Sequence, residues 1–162
     1  MGETKTGTLV RTTLLATLAA GTLDILAAIV TNLQVSAQIV LQSVAGGWLG
    51  STTYRGGWPT AALGLASHYA IMLGIAAVYV LAAARLPVLR RQWIVAGIVY
   101  GVAVWAVMAF VVVPLSASTL PSPDSLQAAI EPIVIHILCV GLPIAWIARR
   151  LTDPITRGRC CR

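Results

Sequence analysis

The stretch TAALGLASHYAIMLGIAAVYVLAAA, Thr60–Ala84, contains no Asp, Glu, Lys or Arg. A helix needs roughly 20 apolar residues to cross the ~30 Å hydrocarbon core of a bilayer, and this stretch is long enough. A half-buried strand would alternate apolar and polar residues, and Met72–Ala84 shows no such alternation. The sequence therefore predicts a transmembrane helix at this place in the chain.

Three further stretches have the same character: Leu9–Thr31, Ile94–Leu115 and about Leu126–Ala148. Charged residues make up only 10% of the 162 residues, whereas a soluble domain carries about 25%. In lipid every backbone polar group must be satisfied within the structure, so helices are the expected spanning elements. We therefore expect one all-α domain over residues 1–162, an integral membrane four-helix bundle.

The basic residues are distributed very unevenly between the predicted loops. Only Arg55 would lie on one side of the membrane. The others would share the opposite side: Lys5, Arg11, Arg85, Arg90, Arg91, Arg149, Arg150, Arg157, Arg159 and Arg162. This positive-inside bias predicts cytoplasmic termini, including a tail over residues 149–162, and a cytoplasmic loop around Arg90. The net charge of +6 then reflects topology and not nucleic-acid binding. The alternative is that the Arg-rich tail binds anionic lipid headgroups.

The segment between the first two stretches, residues 32–57, is too polar to be a clear membrane span. Three glutamines recur at every fourth position: Gln34, Gln38 and Gln42. That spacing puts them on one helical face, away from Leu33 and Val40. It predicts a short amphipathic helix over Val35–Val44 at the outer boundary, with the glutamines toward water or protein. A re-entrant segment and a straight extension of the first helix remain alternatives, because no breaker stands between Gly21 and Gly46.

Small residues and prolines predict how the helices pack and where they bend. Close approach through small side chains holds helices together in lipid. Five such residues are therefore expected at helix contacts, within the bundle or between copies: Ala66, Ala70, Gly74, Gly97 and Gly101. Pro143 cannot donate a hydrogen bond to the carbonyl of Cys139, so the fourth helix should bend near Cys139.

Three ionisable residues lie well inside the predicted spans, namely Asp24, His68 and His136. A carboxylate at the middle of a membrane helix costs about 2.5–3.5 kcal/mol on insertion scales, so Asp24 should face protein or water. Counted at 1.5 Å per residue, the three positions lie roughly 10–15 Å below the outer end of their helices. We expect at least two of them to meet inside the bundle.

Such a polar cluster has three interpretations. It is a hydrogen-bond cluster that fixes the register of the helices, or a relay that handles protons or cations. In the third, the two imidazoles ligate haem, or bind zinc together with Asp24. Two histidines without a spacing motif do not define a metal site, so no metal or other cofactor is predicted.

Enzymatic chemistry has little support in the sequence. Ser67 precedes His68 directly, but adjacent residues on a helix do not face each other. The chain has no GxSxG, HExxH or P-loop motif, and its glycines at 46, 47 and 50 do not follow a predicted strand. We therefore expect a non-enzymatic protein.

Several scattered features occur in a characteristic order from His68 onward. They are His68, Arg85-Leu86-Pro87, Trp93 with Gly97 and Gly101, Pro114-Leu115, His136 and Arg149-Arg150-Leu151. In these features, over about residues 68–151, the chain resembles small uncharacterised bacterial inner-membrane proteins of the YagU type. The resemblance implies a bacterial inner-membrane location and a helical bundle, and it implies no reaction or catalytic residue.

From these observations we expect a multi-pass protein of the bacterial inner (plasma) membrane. Its first expected role is that of a structural or interaction subunit, in contact with the lipid bilayer and with a second copy or an unidentified membrane partner. The alternatives are a transporter or channel component that handles protons or cations through Asp24, His68 and His136, and a haem- or metal-binding redox protein.

Overall fold

The computed structural model describes residues 5–119 and 125–157, and no strand is present in these two ranges. The chain order is α1 (Lys5–Thr31), α2 (Ala37–Leu49), a 3₁₀ helix (Gly50–Arg55), α3 (Gly57–Arg85), α4 (Pro87–Arg91), α5 (Trp93–Val107), a π-helical turn (Met108–Val112), α6 (Val113–Leu115), α7 (Leu126–Ile135), a second π-helical turn (His136–Gly141) and α8 (Leu142–Arg157). The predicted all-α fold is confirmed.

Within the described residues, four continuous helical segments are long and apolar enough to cross a membrane: Lys5–Thr31, Gly57–Arg85, Trp93–Leu115 and Gln127–Thr152. They coincide with the four stretches read from the sequence, so the chain is a multi-pass membrane protein. Helix α8 continues past residue 149, where the predicted tail begins, and ends at Arg157. Residues 158–162 of that tail lie outside the described residues.

Small side chains fill the core between the spans. Ala16 and Ala20 of α1 meet Ala76 and Val80 of α3 and Ile144 of α8 there. Large apolar side chains instead cover the outside, for example Leu18, Val78, Val99 and Leu138. This inversion of the soluble pattern suits lipid, where close backbone approach and not removal of apolar surface from water holds helices together.

Glycines let the third and fourth spans touch backbone to backbone. A Cβ on Gly101 would lie 2.7 Å from the Cα of Ile137, and one on Gly97 would lie 3.1 Å from the carbonyl oxygen of Gly141. A Cβ on Gly141 would in turn overlap the carbonyl oxygen of Gly97. The expected packing role of Gly97 and Gly101 is therefore seen in the structure, with Gly141 as their counterpart.

The small residues predicted on the second span do not pack within the bundle, and their contact with a second copy stays a prediction. Ala66, Ala70 and Gly74 are exposed, and a Cβ on Gly74 would meet nothing within 4 Å. The buried face of α3 carries a different stripe, in the order Gly64, His68, Met72 and Ala76. The two stripes are offset by two residues, which is about 200° around a helix, so the small residues point away from the bundle.

The first span ends where the sequence analysis found no breaker. The side-chain amide of Asn32 donates to the carbonyl of Ala28 at 2.9 Å, which satisfies an oxygen at the end of α1. Ser36 then caps α2, because its hydroxyl accepts from the backbone N–H of Ile39. A straight extension of α1 is thus wrong. The helix predicted over Val35–Val44 begins at Ala37 and runs on to Leu49.

Helix α2 packs along the first third of α3. Leu41 and Ala45 approach Gly64 so closely that a Cβ there would overlap the carbonyl of Leu41. The indole N–H of Trp48 donates to the hydroxyl of Ser67 at 3.1 Å, about one turn farther along α3. The later residue on α2, Trp48, contacts the later residue on α3, Ser67, so α2 runs beside α3 in the same direction. The 3₁₀ helix then returns the chain to the start of α3.

Pro114 and Pro143 each follow a wide helical turn. Met108–Val112 precedes Pro114, and His136–Gly141 precedes Pro143. A proline has no N–H to donate and its ring crowds the preceding turn, and a π-helical turn accommodates both effects within a continuous helix. The second π-helical turn includes Cys139, so it lies at the place where the bend was expected.

Candidate functional site: the Asp24–His68 pair

Helices α1 and α3 meet closely at Gly21. A Cβ on this residue would lie 2.8 Å from Cε1 of Tyr69 and 3.6 Å from Cγ of Met72. Only a glycine therefore lets the two backbones approach to this distance without a shift of the Tyr69 ring. This close approach places the side chain of His68 against the backbone of α1.

The imidazole of His68 contacts α1 through both of its nitrogens. Nε2 lies 2.9 Å from the carbonyl oxygen of Gly21, and Nδ1 lies 4.0 Å from Oδ2 of Asp24. Gly21 and Asp24 are three residues apart on one helical face, which is why a single ring reaches both. The side chains of His68 and Asp24 are 10% and 19% exposed, so the carboxylate is the more accessible partner.

The contact with Gly21 determines which nitrogen of His68 carries a proton. A carbonyl oxygen only accepts hydrogen bonds, so Nε2 must donate. In the neutral ring Nδ1 then has a lone pair facing the carboxylate of Asp24. At 4.0 Å these two atoms are neighbours but are not in direct hydrogen-bond contact. The geometry therefore places an imidazole nitrogen and a carboxylate side by side inside the bundle.

Tyr69 and Cys139 complete the surroundings of the pair. The ring of Tyr69 stands edge-on to that of His68, with 5.4 Å between the centroids, and its hydroxyl bonds that of Thr22 at 2.8 Å. The second π-helical turn, which contains Cys139, packs against α1. The pair thus lies where α1, α3 and the fourth span meet.

His136 does not join the pair. Its Nδ1 lies 2.8 Å from the carbonyl of Pro132, four residues earlier in the same span, so Nδ1 donates and the ring has the opposite tautomer to His68. Of the three predicted residues, the structure brings together Asp24 and His68 alone. Among the described residues, no three His, Cys, Asp or Glu side chains are grouped so that they could hold a metal ion.

The glutamine stripe divides into different environments. Gln34 lies in the turn before α2 and is exposed, and Gln38 is half-buried in its first turn. Gln42 is only 1% exposed. Its amide N–H groups are shared among the carbonyls of Thr53 and Gly57 and the hydroxyl of Thr60, at 2.9–3.1 Å. The three glutamines do not form one continuous stripe, because Ser36 starts the helix after Gln34. Gln42 acts as a clamp, in the sense that its hydrogen bonds hold α2 against the 3₁₀ helix and the start of α3.

Arginine and tryptophan side chains are paired at the opposite end of the bundle from α2. The guanidinium of Arg149 lies over the ring of Trp93 at 5.7 Å, and that of Arg150 lies over Trp146 at 5.6 Å. Arg90 is buried and donates to the carbonyl of Ala83 at 2.7 Å, which satisfies the end of α3.

Comparison with protein-family models, with curated proteins and with solved structures gave no match to this chain.

Sequence reasoning missed Gly21, Tyr69 and Cys139 as neighbours of the pair. A signal for Gly21 was present, since a glycine three residues before an intramembrane carboxylate marks a face that a second helix can approach. Tyr69 and Cys139 carried no comparable signal, because their contribution depends on which helices become neighbours.

Proposed function

We propose that this chain is a proton-handling component of a bacterial inner membrane, a part of a transporter or channel that works through Asp24 and His68. The observation that carries the proposal is the orientation of the His68 ring, with Nε2 on the carbonyl of Gly21 and Nδ1 toward Asp24. A site that holds one proton in the middle of a bundle is the minimum that a proton relay requires.

The surroundings of the Asp24–His68 pair favour the binding and release of a proton over its permanent retention. Asp24 is partly accessible, and at 4.0 Å the carboxylate and the imidazole are farther apart than in a direct hydrogen bond. A separation of this size leaves room for small adjustments as the proton arrives and leaves. A purely structural pair would be expected at direct hydrogen-bond distance, because an unbonded polar group in lipid is costly.

Proton flux into liposomes tests the proposal. The purified protein is reconstituted with a pH-sensitive dye inside, and a pH gradient or a membrane potential is imposed. We expect flux with the wild-type chain and loss of it in Asp24→Asn and His68→Gln. Glu131→Gln is the matched control, because Glu131 is the other described carboxylate and is exposed near the start of the fourth span. Flux unchanged in both pair variants would contradict the proposal.

A second candidate function is a structural or interaction subunit that binds a second copy or another membrane protein. The exposed face of α3 with Ala66, Ala70 and Gly74 favours it, since small residues on an outward face let another helix approach closely. Constant co-purification of one partner, lost in Ala70→Leu but not in Val99→Leu on the exposed face of α5, is the test.

The orientation in the membrane belongs to the same proposal. The charge bias supports cytoplasmic termini and a cytoplasmic loop around Arg90. The resemblance to proteins of the YagU type supports a bacterial inner membrane. We propose no enzymatic activity and no resident cofactor.

A further inference from the structure

The end of the bundle that carries Arg85, Arg91, Arg149 and Arg150 concentrates exposed positive charge. We call it the arginine end. The short helix α4 packs there against α8, so Arg91 lies on a segment in contact with the helix that bears Arg149 and Arg150. Three of these arginines are thus held on two adjoining elements of the fold.

The described side chains supply no negative charge to balance this end. Their two carboxylates, Asp24 and Glu131, lie in the middle of α1 and near the start of the fourth span. A positive surface at the end of four membrane spans is complementary to anionic phospholipid headgroups.

Two of the arginines are oriented by tryptophan rings. Arg149 stacks across two spans, because Trp93 begins the third and Arg149 belongs to the fourth. Arg150 stacks on Trp146, one turn earlier in its own helix. A guanidinium held against a ring face keeps its in-plane N–H donors available, and a forked donor matches a phosphate group. Tryptophan itself favours the headgroup boundary.

We infer that the arginine end is a binding surface for the phosphate groups of anionic phospholipids, with Arg149 and Arg150 as its principal contacts. General topology requires only that positive charge lies on one side of the membrane. The stacked geometry goes further, since it fixes two guanidinium groups at the level of the headgroups. The inference is independent of the Asp24–His68 pair.

Lipid selectivity in mixed vesicles tests the inference. The full chain is reconstituted with phosphatidylcholine and a minor fraction of brominated phosphatidylglycerol, which quenches tryptophan fluorescence at short range. We expect quenching above the statistical value in the wild type, reduced by added salt. Each arginine near an anionic surface contributes roughly fivefold in affinity. Arg149→Gln combined with Arg150→Gln should therefore weaken the preference roughly thirtyfold.

Three controls make the outcome decisive. Arg55→Gln removes an exposed charge near the start of α3 and should leave the selectivity unchanged. Arg149→Lys combined with Arg150→Lys retains the charges but not the forked donors, so its selectivity should lie between those of the wild type and of the glutamine double variant. Glycerol phosphate in solution should not compete at concentrations below those at which salt acts. Statistical quenching in the wild type, an unaffected glutamine double variant, or equal competition by glycerol phosphate would overturn the inference.

Discussion

Nδ1 of His68 lies 4.0 Å from Oδ2 of Asp24, while Nε2 of the same ring bonds the carbonyl of Gly21. One imidazole therefore joins α3 to two positions of α1 that are three residues apart. The arrangement depends on a glycine at the helix crossing, on the choice of the buried face of α3, and on the carboxylate that faces Nδ1. Each of these dependences leads to a measurable outcome.

Substitution of Asp24 should distinguish a hydrogen-bonding role from a proton-handling role. In Asp24→Asn the amide can donate to Nδ1 of His68, so we expect a melting temperature in detergent close to that of the wild type. In Asp24→Leu Nδ1 loses its partner, and a loss of about 1–3 kcal/mol in stability is expected. Proton flux should be lost in both. Equal melting temperatures in the two variants would show that Nδ1 needs no partner.

The crossing of α1 and α3 should be sensitive to a single methyl group. Gly21→Ala places a Cβ 2.8 Å from the ring of Tyr69, and overpacking of this kind costs about 1–3 kcal/mol. Gly74→Ala is the matched control, because it is in the same bundle and has open space around it. The control should be neutral or stabilising by up to about 1 kcal/mol, since alanine is the better helix former. Thermal melts that rank the two variants the other way would contradict the packing of α1 on α3.

Gln42 should be the one important member of the glutamine series for stability. Gln42→Leu removes the side-chain hydrogen bonds that join α2 to Thr53, Gly57 and Thr60, and a lost hydrogen bond costs about 0.5–1.5 kcal/mol. Gln34→Leu changes an exposed side chain in the turn and should have an effect within about 0.5 kcal/mol. Chemical denaturation of both variants in the same detergent provides the comparison, and equal stabilities would refute the clamp.

Reporter fusions should reveal the orientation of the chain. Fusions at Arg90 and Arg162 should report a cytoplasmic position, and a fusion at Ser122 should report an external one. The reason is the excess of basic residues on the side of Arg90. A reversed result at all three sites would show that the positive-inside rule does not orient this chain.

The sequence was sufficient for the spans because their lengths follow directly from the thickness of a bilayer. It was insufficient for the packing of α3, because two faces of this helix could each pack against a neighbour. One face carries Ala66, Ala70 and Gly74, and the other carries Gly64 and His68. Only the partners of a helix decide which face is buried. Hydropathy favours neither face.

The start of α2 shows a second limit of sequence reasoning. Asn32 and Ser36 are ordinary polar residues, and their capping hydrogen bonds exist only once the chain turns. Depth led us to expect that at least two of Asp24, His68 and His136 would meet, without saying which two. The exclusion of His136 did not follow from depth, because its hydrogen bond to Pro132 is local to its own helix.

Nitrogen NMR of ¹⁵N-labelled histidine in detergent tests the orientation of the His68 ring most directly. The chain has two histidines, so His136→Gln leaves the signals of His68 alone. We predict that Nε2 of His68 carries a proton, because it donates to the carbonyl of Gly21, and that the Nδ1 signal depends on the neighbouring carboxylate. In Asp24→Leu the Nδ1 signal should therefore shift while the Nε2 proton is retained. A proton on Nδ1 with none on Nε2, or identical Nδ1 signals with and without Asp24, would contradict the account.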